Sequence, residues 1–203
     1  MKINQLIKET TKYSYHYNEP HCLSKIGKVT YDLMVDLNPN YNKEIVYLCI
    51  GTDRATGDCL GPLVGTRLSL LVPYANIFGT LQNPCHATNL TEILNNIDTQ
   101  FNNPLIIAID ASLGNADRIG YINIKKGSLK PGTALKKVLP EVGDFHISGV
   151  VNVAGFLEHM VLQNTRLYLV YSMADIIAKS LYLAHFRFER NMKSSCTLGV
   201  LDF

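Results

Sequence analysis

Two short apolar runs place the strongest limit on the fold of this chain. EIVYLCI at residues 44–50 is followed by Gly51, and NNPLIIAID at residues 102–110 ends at Asp110. Short continuous runs that are rich in isoleucine, leucine and valine are typical of strands buried on both faces of a parallel sheet. We therefore expect an α/β fold built around these two strands.

Weaker patterns complete an alternation of strands and helices. We predict further strands at 76–81, 120–127 and 165–172, and helices at 24–37, 60–72, 90–97, 148–163 and 172–191. The connection between the third and fourth strands is too short to hold a crossover helix, so these strands should be antiparallel neighbours, whereas the helical connections imply parallel pairing. The predicted architecture is a three-layer α/β/α sandwich with a mixed, mostly parallel five-stranded sheet that contains one antiparallel strand.

Length and composition fit one folded domain. The chain has 203 residues, of which 47% are hydrophobic and 18% charged, and its net charge is +2. This composition excludes a disordered chain, or a polyanion-binding tail as the main feature. We predict a single α/β domain in which residues 1–43 form a loosely ordered N-terminal arm and a helix, and residues 44–203 form the sandwich core.

The sequence also favours a cytoplasmic protein. No apolar run reaches the length of about 18 residues that a membrane span needs, because Lys179 interrupts the best one. The first residues lack the continuous apolar stretch of a secretory signal peptide. The five cysteines are odd in number and form no C-x-x-C pair, so reduced thiols are expected.

Polar side chains that suit a functional site follow the predicted strands. In parallel sheets, ligands bind beyond the carboxyl ends of the strands, where loops and helix N-termini converge. The first and third strands and the segment before the predicted helix at 148–163 bring these candidates to that edge: Asp53, Thr56, Asp58, Asp110, Ser112 and His146. We expect Asp58, Asp110 and His146 to meet at one rim.

The residues alone leave two chemical uses of these three side chains open. Two carboxylates and an imidazole could bind a divalent metal through oxygen and nitrogen. Alternatively, two adjacent carboxylates push their pKa values apart, so that one keeps a proton and the pair acts as acid and base. Each residue also has a structural interpretation, in which Asp58 caps a helix, Asp110 caps a turn and His146 is an ordinary packed histidine.

Other features point away from nucleotides and nucleic acids. GTDRATGD at residues 51–58 matches neither G-x-G-x-x-G nor G-x-x-x-x-G-K-[ST], so no nucleotide cofactor is expected. The lysines between residues 125 and 137 have no aromatic residues among them, and they are interpreted as a solvated loop rather than a nucleic-acid surface. His86 and His159 are interpreted as surface or packing positions.

Two segments resemble motifs of known families. They are CIGTDRATGDCLGPLVG at residues 49–65 and IIAIDASLG at residues 106–114. From about Cys22 onward the chain is similar to the YyaC-type family of sporulation proteins. Its core resembles, more distantly, the spore germination protease and the hydrogenase maturation endopeptidases. The germination protease motif D-A-L-G-P is matched from Asp58 onward, with cysteine in place of alanine.

The resemblance implies a fold and roles for the candidate residues. It implies a phosphorylase/hydrolase-like sandwich in which Asp58 and Asp110 are the catalytic carboxylates. It also implies that Asp58, Asp110 and His146 hold a divalent metal such as nickel or zinc. The expected substrate contacts are Asp53, Thr56 and Ser112, although the related families usually have asparagine where this chain has Asp53.

The function implied by this resemblance is that of a sporulation-associated hydrolase. Its expected activity is an aspartate-dependent peptidase that acts on a protein or peptide substrate, in the cytoplasm of the sporulating cell or in the spore. Neither a membrane nor a nucleic acid is an expected partner. The alternative is a catalytically inactive adaptor or chaperone that keeps the same fold and binds a metal or a protein.

Overall fold

A computed structural model describes residues 12–131 and 139–198. The strands are β1 (Lys12–His16), β2 (Ile45–Cys49), β3 (Asn76–Phe78), β4 (Leu105–Gly114), β5 (Tyr121–Lys126) and β6 (Phe145–Val153). The helices are α1 (Cys22–Leu37), α2 (Leu60–Leu71), α3 (Leu90–Gln100), α4 (Glu158–Gln163) and α5 (Leu167–Leu198). Short 3-10 turns at Thr56–Cys59 and Ala116–Arg118 precede α2 and β5.

The six strands form one mixed sheet in the order β1-β5-β6-β4-β2-β3. β3, β2, β4 and β6 are parallel neighbours, whereas β5 is antiparallel to both β6 and β1. β5 is therefore the one strand that runs against the others. The predicted mixed, mostly parallel sheet with one antiparallel strand is confirmed, with six strands in place of five.

Helices cover both faces of this sheet. Tyr47 and Ile107 belong to an apolar cluster with residues of α1, α2 and α5, while Val46 and Ala108 belong to a second cluster with residues of α3. Neighbouring residues of β2 and β4 thus enter different clusters, because successive side chains of a strand point to opposite faces. The predicted three-layer α/β/α sandwich is the observed architecture.

The N-terminal region contains a strand that we did not predict. The segment Lys12–His16 lay in the predicted loosely ordered arm, but it forms β1 and pairs with β5. Ser14 Oγ donates a hydrogen bond to Asn123 Oδ1 at 2.8 Å across this pair. The strand was hidden because its tyrosines alternate with polar residues that are themselves half-buried, so no apolar run marks it. Residues 1–11 lie outside the described residues.

Two predicted elements were wrong in type. The apolar run at 165–172 is the first part of α5 and not a strand. Periodicity alone does not separate a short buried strand from a segment of a buried helix. The predicted helix at 148–163 is instead the end of β6, which reaches Val153, followed by a turn and by the short helix Glu158–Gln163.

This error also changes the neighbours within the sheet. β4 and β5 run in opposite directions, as their short connection predicts, but β6 lies between them. β6 pairs in parallel with β4 and antiparallel with β5. The short connection therefore sets the direction of β5 without making it a neighbour of β4.

One helix passes a simple test for a membrane span. Residues Leu167–Lys193 of α5 are long and apolar enough by length and composition, a test that the core helices of soluble proteins also pass. In this structure Ile177 and Leu181 of α5 are fully buried and belong to the cluster that α1 and α2 share. Packing against the sheet and these helices accounts for the apolar residues on the buried face of α5, whereas others, such as Leu183 and Phe186, are exposed.

The N-terminus of α2 lies very close to the end of β2. A Cβ atom on Gly61 would lie 2.0 Å from Ile50 O, and a Cβ atom on Gly51, whose φ is +141°, would lie 2.0 Å from Asp58 O. Only glycine allows backbones to approach this closely without strain. These contacts hold Asp58 and the loop before it against the carboxyl end of β2.

We expect Gly61→Ala to destabilise the protein by at least about 2 kcal/mol, because its methyl group would overlap backbone that cannot move without separating α2 from β2. Thermal unfolding of the purified variant measures this effect. Ser69→Ala, on the same helix, is the matched control and should change the free energy of unfolding by no more than about 0.5 kcal/mol. Equal stability of Gly61→Ala and Ser69→Ala would show that the close approach does not constrain the fold.

Candidate active site

The loop after β2 holds Asp58 in place. Gly51 N donates a hydrogen bond to Cys85 O at 2.8 Å, which ties the loop to the segment after β3. Thr52 N donates to Asp58 O at 3.2 Å, which closes the loop on itself. Asp58 lies in the Thr56–Cys59 turn and is half-buried. Its position therefore depends on backbone contacts at both ends of the loop.

Asp110 lies on the sheet face that α3 covers. It is two residues after Ala108, which packs on that face, and side chains of a strand repeat every second residue. The residue is only 7% exposed, and its Oδ1 accepts a hydrogen bond from Ala111 N at 2.8 Å. β4 continues to Gly114, so Asp110 lies inside the strand and not at its end. Ser148 of β6 is its partner in the register.

Both carboxylates line one open cavity of about 450 Å³. The loop after β2, the middle of β4 and the short helix α4 form much of its wall, and Ser112 and Ser148 also line it. A cavity of this size holds a small molecule or a few residues of a peptide. The structure therefore brings Asp58 and Asp110 together at a place that a ligand can reach.

The buried position of Asp110 raises its pKa well above the usual value for aspartic acid. Burial is the largest cause, and the charge of Asp58 adds to it, while the hydrogen bond from the Ala111 amide acts in the opposite direction. The effect of Asp58 on this pKa shows that the two carboxyl groups interact. Burial and the charge of Asp110 also raise the pKa of the Cys85 thiol to about 12, which places a protonated thiol beside the pair.

Asp58 is less strongly perturbed than Asp110. Burial raises its pKa, whereas a backbone hydrogen bond from Thr52 and the charges of His159 and His86 lower it. Two carboxyl groups with raised pKa values and mutual repulsion favour a state in which they share one proton. Because the larger upward shift belongs to Asp110, this proton resides mainly there.

Two histidines at this site were missed in the sequence. His86 and His159 both line the cavity, although we interpreted them as surface or packing positions. His86 Nδ1 lies 2.8 Å from Thr88 Oγ1 in the segment between β3 and α3, and His159 lies on α4. The rule that sites lie beyond strand ends, applied also to the second predicted strand, would have pointed to His86. No pattern pointed to His159, because 148–163 was predicted as one helix.

His146 does not join the two aspartates. It lies in β6 rather than before a helix, it is not among the residues that line the cavity, and it is only 8% exposed. Its Nδ1 donates a hydrogen bond to Gly127 O at 2.9 Å, and burial lowers its pKa. The expected meeting of Asp58, Asp110 and His146 at one rim was therefore wrong. The residue of β6 that pairs with Asp110 is Ser148, and His146 lies two residues earlier in the strand.

The donor atoms in this structure do not fit the expected metal site. His146 is separated from the carboxylates, and its Nδ1 is used by the backbone of Gly127. Within residues 12–131 and 139–198, no group of three or more histidine, cysteine, aspartate or glutamate side chains is arranged to hold a metal ion. We therefore derive no chemical step through a metal.

The expected substrate contacts divide between the cavity and the outside. Ser112 lines the cavity, whereas Asp53 and Thr56 do not. Asp53 is exposed on the loop after β2, and the residues of that loop that do face the cavity include Thr52 and Arg54. The sequence identified the correct loop but not which of its side chains turn inward.

Asp58 does not cap a helix and Asp110 does not cap a turn, contrary to the structural interpretations of these two residues. No side-chain hydrogen bond caps the N-terminus of α2, so Asp58 is not its cap. Asp110 does bond to a backbone amide, that of Ala111, but the chain remains extended there and no turn follows. Neither capping role accounts for the presence of the two carboxyl groups in one cavity.

Comparisons with known proteins give one family and one relative of high identity. Residues 14–180 match the model of the family described as "Protein of unknown function (DUF1256)". The chain is 51% identical over 142 residues to "Uncharacterized protein YyaC" of Bacillus subtilis. The aligned region covers 70% of this chain and 69% of that protein.

A solved structure is also similar, at a more distant level. It is the [NiFe] hydrogenase maturation protease HycI from Thermococcus kodakarensis, with 18% sequence identity and a TM-score of 0.45, over 75% of this chain and 98% of that one. At this distance the likeness carries no argument about the site. The fold described above rests on the strands and helices themselves.

We expect Asp110→Asn to stabilise the folded protein at pH 8. Folding raises the pKa of the Asp110 carboxyl group. Such a group contributes its full stabilisation when the pH is below its pKa in the unfolded chain, and it loses this stabilisation as the pH rises through its pKa in the folded protein. Above that point the buried charge destabilises the fold, and asparagine removes it. A gain of about 1 kcal/mol would raise the melting temperature by about 2 to 4 °C.

Thermal melts of the wild type and the variant at pH 8 and pH 5 measure this effect. The difference between them should shrink at pH 5. Asp98→Asn, at an exposed position on α3, is the matched control and should show no such gain. A lower melting temperature for Asp110→Asn than for the wild type at pH 8 would contradict the electrostatic interpretation.

Proposed function

We propose that this chain, which belongs to the family described as "Protein of unknown function (DUF1256)", is a hydrolase that cleaves a peptide bond with Asp58 and Asp110. The observation that carries the proposal is that these two carboxyl groups, 52 positions apart in the chain, line the same cavity, where the charge of Asp58 raises the pKa of Asp110. Paired carboxyl groups that share one proton can act as base and acid in the same reaction.

The pKa shifts support one division of the two roles. Asp58 keeps its charge more readily than Asp110, so Asp58 accepts a proton from a water molecule as the water oxygen bonds to the carbonyl carbon of the substrate. Asp110 donates its proton to the amide nitrogen as the carbon–nitrogen bond breaks. The products are a carboxylic acid and an amine, and transfer of the proton from Asp58 back to Asp110 restores the starting state.

The surroundings of the cavity support a polypeptide as the substrate. The segment that leads into α4 exposes large apolar side chains, among them Phe156 at 89% and Leu157 at 55%, next to the residues of α4 that line the cavity. Exposed apolar side chains beside a cavity are typical of surfaces that bind other proteins. The resemblance to the YyaC-type family and to the germination protease further supports a substrate protein in the cytoplasm of the sporulating cell or in the spore.

We expect both Asp58→Asn and Asp110→Asn to abolish cleavage, because each variant lacks either the base or the acid. Loss of a general acid or base lowers the rate by about 10²- to 10⁴-fold. The test is to incubate purified protein with a protein extract from sporulating Bacillus subtilis and to identify new amino termini by mass spectrometry.

The control and the alternative are distinguished in the same experiment. Asp98→Asn should produce the same new termini as the wild type. New termini that persist in both aspartate variants would refute the assignment. If no protein is cleaved but the same extract proteins are retained by immobilised wild-type protein, the chain is an adaptor with this fold and not a peptidase.

The rate should follow a bell-shaped dependence on pH. The acid limb appears when Asp58 becomes protonated, and the alkaline limb when Asp110 loses its proton. Because both pKa values are raised from the ordinary value of 3.8, the optimum should lie above that value, and it should extend toward neutral pH. The initial rate of cleavage of one identified substrate, measured across the pH range, checks this expectation. A rate that rises steadily up to alkaline pH would contradict an essential protonated Asp110.

A further inference from the structure

The basic residues at the cavity differ in whether they have acidic partners. Arg54 and Lys130 both line the cavity. Lys130 Nζ forms an ion pair with Glu141 Oε1 at 3.0 Å, and Glu141 also accepts a hydrogen bond from Ser128. Among the ion pairs within the described residues, none involves Arg54. Arg54 is thus a cation at the cavity whose charge is not matched by a carboxylate of the described chain.

Arg54 is not explained as a counter-charge for the two aspartates. The groups that lower the pKa of Asp58 are the backbone of Thr52 and the charges of His159 and His86, and Arg54 is not one of them. The group that lowers the pKa of Asp110 is the Ala111 amide. Arg54 therefore lines the same cavity as the two carboxyl groups without forming an ion pair or a hydrogen bond with either of them.

The backbone of Arg54 is held by the same loop that positions Asp58. Arg54 N donates a hydrogen bond to Thr52 Oγ1 at 3.3 Å, and Thr52 N donates to Asp58 O at 3.2 Å. The base of its side chain is thus fixed relative to Asp58, while the residue as a whole is exposed. A ligand group bound by Arg54 would therefore lie within one arginine side-chain length of the loop that carries Asp58.

We propose that Arg54 binds a carboxylate of the substrate and so selects for acidic polypeptide segments at the mouth of the cavity. A guanidinium group presents a planar set of donors that matches a carboxylate with two parallel hydrogen bonds. The identity of the ligand as a peptide rests on the proposed function. The carboxylate can belong to the C-terminus of the substrate or to an aspartate or glutamate side chain near the bond that is cleaved.

The test measures binding separately from cleavage. It uses the Asp110→Asn variant, which should not turn substrate over, labelled with ¹⁵N and titrated with three pentapeptides of alanine and phenylalanine with acetylated amino termini. One has a free C-terminal carboxylate, one has a carboxamide, and one has a carboxamide and an internal glutamate. The amide signals of the loop from Thr52 to Asp58 report binding at Arg54.

We expect at least one of the two charged peptides to bind about tenfold more tightly than the neutral carboxamide. The peptide that does so identifies the source of the carboxylate. Adding Arg54→Gln should remove this advantage, and Arg54→Lys should restore part of it. Arg166→Gln removes an equal charge from an exposed arginine outside the cavity lining and should leave the advantage intact. The advantage should weaken with added salt, since Arg54 is exposed.

Several results would overturn the proposal. These are equal binding of all three peptides, an advantage that survives Arg54→Gln, and no binding of either charged peptide at millimolar concentration. A failure of the proposed function alone gives another result. In that case the charged peptides still bind through Arg54, but the wild-type protein cleaves no substrate.

Discussion

The parallel pairing of β2 with β4 is the contact on which the rest of this structure depends. Both strands are buried, and Ile50 N continues the pairing beyond the end of β2 by donating to Ile109 O at 2.7 Å. This bond places the start of the 51–58 loop beside the residue that precedes Asp110. Since Gly51 and Gly61 then hold the loop and α2 against the strand, the distance between the two aspartates is set by backbone packing rather than by their own side chains.

This arrangement has an energetic cost that a purely structural role would not explain. A buried carboxyl group is costly unless it is neutral or paired with a cation, and Asp110, which has the charged Asp58 as its neighbour, avoids this cost only while it keeps its proton. When Asp110 loses that proton, the surrounding fold must be stable enough to hold two repelling carboxylates together. Such perturbed pairs occur preferentially at sites where the perturbation is used in a reaction.

The sequence contained more information on the strands of the core than on the rim of the cavity. Residues 44–50 and 102–110 were identified as strands because their side chains are apolar on both faces, and the aspartate candidates followed from the ends of those strands. β6 was missed because FHISGVVNV mixes polar and small residues, which a helix can also accommodate. That one error put His146 in the wrong place and concealed the turn before α4.

The order of the strands in space also has a consequence for how the chain can fold. β6 is the last strand along the chain, yet it lies between β4 and β5, and β1 pairs only with β5, so that Ser14 and Asn123 meet across 109 positions. Neither half of the sheet can be completed locally, and contacts between residues this far apart are formed slowly. The nascent chain must therefore emerge from the ribosome at least through β6 before β4 and β5 have both of their neighbours. A chain truncated before Phe145 would leave the pairing edge of β4 open to other molecules.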